Sequence, residues 1–266
     1  MKSIKNIIRH FLYGRKWNQK IFRNLHRIAL QGMNYGTDPK INESGELYLL
    51  NQLCKESKNN QWIIFDVGAN TGDYTKTLLK IFGKSALVYS FEPSPSAFEK
   101  LYESVKNIGA MLYNFGFSSE KKRSSLYSNE KGGGLGSLYK RQLDHKSIKM
   151  NQVENVQLET LDNFCRVNGI KTINFLKLDT EGHELYALRG AQNMLKEKKI
   201  ERIQFEFGGC NIDSRTFFQD FWYLLKNDYN LYRILKSGIY PIKKYDERDE
   251  IFTATNYLAV LKEFDK

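Results

Sequence analysis

A segment that reads as a buried strand, Trp62-Ile-Ile-Phe-Asp-Val67, runs straight into Gly68-Ala-Asn-Thr-Gly72, and a helical pattern continues to Phe82. A strand, a glycine turn and a helix that folds back over the strand form the repeating unit of a parallel sheet. The alternation continues with a strand at Ala86 to Phe91, a helix at Pro95 to Asn107 with proline in its first turn, and a strand at Met111 to Phe117. An irregular stretch, Ser118 to Asn151, carries Gly132-Gly-Gly-Leu-Gly136 and many lysines and serines. Beyond it, strands at Val153 to Leu158, Ile173 to Leu178 and Ile200 to Phe207 alternate with helices at Leu161 to Asn168, Gly182 to Lys196 and Arg215 to Asn227. Leu231 to Leu235 and Thr253 to Leu261 read as closing strands, and Ser44 to Lys55 as a helix ahead of the sheet. The expectation is a mostly parallel central sheet with helices on both faces, its ligand beyond the carboxyl ends of the strands.

The residues at those ends narrow the ligand. Gly68 and Gly72 let the backbone approach it closely, at the start of a helix whose free N–H groups are expected to face it. Ala69, Asn70 and Thr71 separate the glycines, so the three-glycine dinucleotide spacing is absent, and no Gly-Lys-Ser/Thr follows for a phosphate loop. Asp66, at the tip of the first strand, would repel a pyrophosphate and suits an ammonium group. Glu92 ends the second strand twenty positions after Gly72, where an acid accepting hydrogen bonds from ribose hydroxyls belongs, and Pro93 follows it. Asn114, Gly116 and Phe117 at the third strand's tip would lie beside a nucleobase, although an aromatic there is more often core.

Across the switch point, Asp179 ends the fourth strand, Glu181, His183 and Glu184 open the next helix, and Glu206 ends the fifth strand. Glu181 and Glu184 also suit the positive end of a helix, and a lone histidine in a first turn is often structural. With its ordinary pKa near neutrality, His183 is a candidate base. Asp179 and Glu206 could together hold a divalent cation, but two acids do not establish one and no metal site is assigned.

FDVGANTGDY at Phe65 to Tyr74, the acid in Phe91-Glu-Pro93, ETLDNF at Glu159 to Phe164 and LKLDTEGHELYALRGA at Leu176 to Ala191 together resemble the FkbM-type methyltransferases, from Gly45 to Val260. The resemblance implies an α/β, Rossmann-like class I methyltransferase fold with S-adenosylmethionine as donor. It also implies O-methylation of a small-molecule or glycan acceptor, by family analogy a sugar of a bacterial surface polysaccharide or its precursor. Asp66, Gly68, Asn70, Gly72 and Glu92 fall on the family's cofactor motifs, and Asp179, Glu181, Gly182 and Glu184 on its D-x-E-G-x-E motif. His183 occupies a variable position of that motif. Methylating a hydroxyl requires removal of its proton, which gives the acids and His183 a catalytic reading.

Charge adds a second feature. The 266 residues carry a formal charge of +11, yet no Asp or Glu precedes Asp38. Lys2, Lys5, Arg9, Arg15, Lys16, Lys20, Arg23 and Arg27 alternate there with Ile4, Ile7, Ile8, Phe11, Leu12, Ile21, Phe22, Leu25 and Ile28 at helical spacing. The expected organisation is a basic amphipathic helical lead-in over 1–43 and the methyltransferase domain over 44–266, with breakers at Gly32, Gly36, Asp38 and Pro39. The lead-in's apolar side either packs on the domain or, through residues 1–30, meets a membrane surface or a partner. Nucleic acid is disfavoured, because no RNA-binding module is appended and the charge sits in the lead-in. An RNA methyltransferase and a non-catalytic Rossmann-like module are the alternatives. Cys54, Cys165 and Cys210 show neither disulfide nor metal spacing, and with no apolar span or signal peptide the chain is expected in the cytoplasm, with peripheral contact at the inner membrane face as an option.

Overall fold

The computed structural model describes residues 9, 11–36, 41–57 and 61–265. Lys2, Ile4, Lys5, Ile7 and Ile8 of the lead-in, the breakers Asp38 and Pro39, and the polar run from Lys58 to Asn60 lie outside the described residues.

Among the described residues, eleven strands form two sheets: β1 (Trp62–Val67), β2 (Ala86–Phe91), β3 (Met111–Tyr113), β4 (Gly116–Phe117), β5 (Lys122–Ser128), β6 (Gln152–Glu159), β7 (Phe175–Leu178), β8 (Arg202–Phe207), β9 (Tyr229–Leu235), β10 (Gly238–Ile242) and β11 (Thr255–Leu261). The main sheet runs β10-β9-β11-β8-β7-β1-β2-β3. It is parallel from β3 to β8, and β11 runs antiparallel to both its neighbours. Its order reverses between β1 and β7, the switch point expected from the sequence. The helices are α1 (Gln19–Gly32), α2 (Ile41–Ser44), α3 (Glu46–Glu56), α4 (Asp73–Phe82), α5 (Pro95–Val105), α6 (Leu161–Val167), α7 (Glu184–Arg189), α8 (Gln192–Lys196), α9 (Cys210–Ser214) and α10 (Phe218–Leu225). This is the Rossmann-like α/β architecture that the sequence predicts, with a helical lead-in.

Period-two alternation puts alternate residues of β1 on opposite faces. Phe65 and Val67 join an aromatic core with Phe91, Phe117 and Phe164, while Trp62 and Ile64 pack against Leu49, Leu50 and Leu53 of α3 and Leu78 of α4. On the α3 and α4 side, near the carboxyl ends, the sheet's register aligns Ser90, Asp66, Lys177 and Gln204 in one buried polar row across β2, β1, β7 and β8.

The elements depart from their sequence pattern where tertiary contacts intervene. The third strand divides into β3 in the main sheet and β4, which pairs with β6 in a three-stranded sheet. The stretch read as irregular contributes β5, antiparallel to β6 over Lys122 to Ser128; its Lys-Arg-Ser-Ser start hides the strand. Helix 182–196 breaks into α7 and α8 at Gly190, where a Cβ would sit 2.0 Å from the Ser118 carbonyl oxygen. β10 has no counterpart in the sequence pattern; it is an edge strand, which accommodates Pro241.

The lead-in helix α1 buries none of its side chains. The chain after it is held firmly: the Asn34 amide donates to the Ser44 and Ile234 carbonyls, both at 2.9 Å, and Tyr35 enters the core beside Tyr257.

The close approach at Gly190 gives a test of the packing. Gly190→Ala is expected to lower stability by about 1–3 kcal/mol, read as a lower urea midpoint. Gly32→Ala, with no atom within 4 Å of its Cβ, should not lower it.

Candidate active site

A cavity of about 700 Å³ opens at the carboxyl ends of β1, β2, β7 and β8. Its floor is the β1–α4 turn. Gly68 adopts φ 80° and Gly72 φ 92°, and a Cβ at Gly68 would lie 1.8 Å from the Asp179 carbonyl oxygen. The turn is wound on itself: Gly68 and Ala69 donate their N–H groups to the Phe91 carbonyl, Gly72 donates to Ala69, and Asn70 donates to Glu92. The amides of Gly68, Ala69, Asn70 and Gly72 are therefore spent on the chain's own acceptors, and Asn70, Thr71, Asp73 and Tyr74 line the cavity beside the turn. The Asn70 Oδ1 atom, on a residue lining the cavity, is buried without a hydrogen-bond partner.

Glu92 lines the same cavity and is gripped from both sides, Oε2 accepting from Asn70 N and Oε1 from Ser94 N, each at 2.8 Å. Burial pushes its pKa up to about 7 against those two hydrogen bonds. Pro93, Gly116 and Phe117 line the adjoining wall. Phe117 is chiefly a core residue, its ring 4.7 Å from Phe91. Asn114 is exposed and does not line the cavity; its amide donates to the Glu92 and Pro93 carbonyls and so fixes that wall from behind.

Asp66 stands behind the cavity. It is fully buried, absent from the cavity lining, and the ammonium it meets belongs to the chain. Lys177 Nζ lies 3.2 Å from Asp66 and 3.3 Å from Asp179, 4.7 Å above the Tyr74 ring. Thr75 donates its hydroxyl to the other Asp66 oxygen at 2.7 Å. Burial works against the lysine's charge, but Asp66, Asp179 and Glu46 outweigh it and raise its pKa.

The far edge is acidic. Ligand oxygens of Asp179, Glu181 and Glu206 lie within 4.8 Å of one another. Arg141 reaches in from the 118–151 segment to pair with Glu181, and Lys177 pairs with Asp179, so no metal is assigned. Glu206 accepts no hydrogen bond among the described residues, and burial with the charges of Asp179 and Glu181 pushes its pKa well up. Burial and Asp179 push Glu181 up to about 7, against Arg141. Glu184 stays behind this edge: its Oε1 accepts from Thr180 N at 2.7 Å and Gly182 N at 3.1 Å, closing the turn in which Glu181 has φ 51° and Gly182 φ 102°.

His183 lines the cavity with both ring nitrogens engaged, Nδ1 with the Tyr139 hydroxyl at 2.8 Å and Nε2 with Ser118 Oγ at 3.0 Å. Its ring stacks on Tyr186, and burial lowers its pKa to about 4. Ser137 donates to the Glu181 carbonyl at 2.7 Å, and Gly133 to Gly136 with Leu138 form a cavity wall. The unassigned segment is thus packed against the site.

Sequence reasoning missed Lys177, Glu46, Arg141 and Tyr139. Lys177 had a signal, a lone charge inside the apolar run Phe175-Leu-Lys-Leu178. Glu46, whose Oε1 accepts from Gln204 at 2.6 Å, stands at a helix start where an acid is unremarkable. Arg141 and Tyr139 lie in a segment without periodicity.

The profile of the family described as "Methyltransferase FkbM domain" matches residues 66–233, more than half of the chain. Hexuronic acid methyltransferase AglP of Haloferax volcanii is 24% identical over 168 residues, 62% of this chain and 64% of that protein. The 2-O-methyltransferase NoeI of Sinorhizobium fredii is 22% identical over 148 residues, 52% of this chain and 60% of the relative. The chain therefore spans less than two thirds of either relative's length. A solved structure of Methyltransferase FkbM from Methylobacillus flagellatus aligns with a TM-score of 0.45 at 17% identity, covering 74% of this chain and 43% of that one.

Two outcomes follow for the ligand-free protein. Lys177→Ala leaves Asp66 buried without its cation and is expected to cost about 3–5 kcal/mol in chemical denaturation. Glu92, Glu181 and Glu184 each have pKa values raised to about 7 from 4.5, so the folded protein holds more protons than the unfolded chain between those values. Their contribution to stability is full below about pH 4.5 and is lost as pH rises through about 7, which a denaturation series across that window reads as falling midpoints.

Proposed function

Because the chain belongs to the methyltransferase FkbM domain family, we propose that it transfers the methyl group of S-adenosylmethionine to a hydroxyl of a sugar or glycan precursor. The acceptor class rests on two relatives, a hexuronic acid methyltransferase and a 2-O-methyltransferase. A bacterial surface polysaccharide is the specific acceptor proposed.

The observation that carries the donor assignment is the cavity's charge. Glu46, Asp73, Glu92, Asp179, Glu181 and Glu206 line it, against the single ammonium of Lys177 among the described lining residues. Such a surplus suits a cationic ligand. When bound, the donor supplies an electrophilic methyl on a positively charged sulfur. Glu92, held by two backbone amides, keeps lone pairs for ribose hydroxyls. Asn70 Oδ1 is a ready acceptor for an amino group. Pro93, Gly116 and Phe117 give a flat, largely apolar wall to the base.

On the acidic edge, Glu206 is assigned the acceptor's proton. It has no hydrogen-bond partner to displace among the described residues, and a carboxylate whose pKa is raised is a stronger base once ionised. Asp179, tied to Lys177, orients the hydroxyl, and Glu181 is held by Arg141. His183 is read as a positioning residue, since each ring nitrogen already has a partner and burial keeps it neutral.

Calorimetric titration with S-adenosylmethionine should show binding that Glu92→Ala weakens by about 10–100-fold. Turnover with a hydroxylated sugar should fall about 10²–10⁴-fold in Glu206→Gln, with donor affinity reduced far less. Because the base must lose its proton first, kcat/KM should fall as pH drops below the raised pKa of the acidic edge, and His183→Gln should leave that profile in place. A Glu206→Gln variant with full activity would overturn the base assignment.

A further inference from the structure

The lead-in helix does not do what an amphipathic helix of a globular domain ordinarily does. Ile21, Phe22, Leu25 and Ile28 share one side of α1, yet Leu25 is 53% exposed and Ile28 60%. Just ahead, Trp17 is 66% exposed, and Tyr13 packs edge-on against Phe22. The helix is attached to the domain by another side. Leu30, partly buried against the core, lies roughly 140° around from Leu25 at 3.6 residues per turn. Asn34 and Tyr35 fix the following chain. The stripe is therefore held facing away from the protein by its own anchor.

The charges on the side of the helix across from the stripe identify what covers it. Lys16, Lys20, Arg23 and Arg27 stand in and just before α1, and no aspartate or glutamate occurs ahead of Asp38. We propose that this face docks on an anionic lipid bilayer, with Ile21, Phe22, Leu25 and Ile28 entering the headgroup boundary and the cations meeting lipid phosphates. Trp17 and Tyr13 have the amphipathic rings that settle at that depth. Lysine and arginine stems can lie along the apolar surface while their heads reach the phosphates. A second copy is a poorer occupant, because it would bring two wholly cationic helices together. A nucleic acid would answer the charges and leave the apolar stripe in water. No helix among the described residues is long and apolar enough to cross a membrane, so the contact is peripheral. The inference does not depend on the methyltransferase reading, since none of these side chains lines the cavity.

Co-sedimentation of the full chain with phosphatidylcholine vesicles, with and without phosphatidylglycerol, tests it. The expected result is at least about tenfold more binding to the anionic vesicles, weakening with salt. Ile21→Ser/Leu25→Ser/Ile28→Ser and Lys20→Glu/Arg23→Glu/Arg27→Glu should each lose most of it while donor binding stays unchanged. Equal partitioning to both vesicle types, no binding, or variants that bind like the parent chain would overturn the proposal. So would a lipid-free dimer that the serine variant dissociates, because a second copy would then cover the stripe.

Discussion

A buried ammonium organises the site. Lys177 stands on β7 in register with Asp66 on β1, and its charge is tolerable only because Asp66 and Asp179 lie within 3.3 Å. That pairing fixes the tips of the two strands flanking the switch point. It sets Asp66 behind the cavity lining and Asp179 at the cavity edge, and brings the β7 end so near the β1 turn that only glycine fits at position 68. Thr75 and Ser90 complete the far side of the row, with their hydroxyls 2.9 Å apart. The glycine turn, usually credited with ligand binding, is here also the consequence of a close strand-end contact.

Around that fixed pair the protein assembles more carboxyl groups than it neutralises. Glu92 and Glu184 are kept acceptable by backbone amides, Glu46 by Ser44 and Gln204, and Glu181 by Arg141. Glu206 has no such partner among the described residues. The wall that closes this edge depends on neutral contacts: Tyr139, His183 and Ser118 form a chain linking the 118–151 segment to the start of α7. A histidine committed at both nitrogens can hold a wall in place, and this explains why a variable motif position is occupied by a buried, uncharged ring.

The sheet was legible because its strands are apolar runs closed by glycine or proline, a local signal. Gly68, Gly72, Glu92 and Asp179 could be placed because strand ends fix where they stand. What was not legible depends on register and long-range contact. Asp66 reads as ligand-facing until the register sets Lys177 beside it. The α7–α8 break at Gly190 follows from Ser118, far away in sequence. β5 has only Leu126 as a fully buried apolar residue, too little for a periodic pattern. The periodicity of Ile21, Phe22, Leu25 and Ile28 matches α1, but periodicity alone does not say whether the apolar side is packed or free.

The surplus of carboxyl groups is the central claim, and donor binding near neutral pH tests it directly. Glu92 and Glu181 hold protons up to about pH 7 in the ligand-free cavity. A positively charged ligand lowers their pKa and expels protons. Calorimetric titration with S-adenosylmethionine at pH 7 in buffers of different ionisation enthalpy should therefore show proton release. S-adenosylhomocysteine, whose sulfur is neutral, should release fewer. Binding heats independent of buffer, or equal release by both ligands, would contradict a site built around the sulfonium charge.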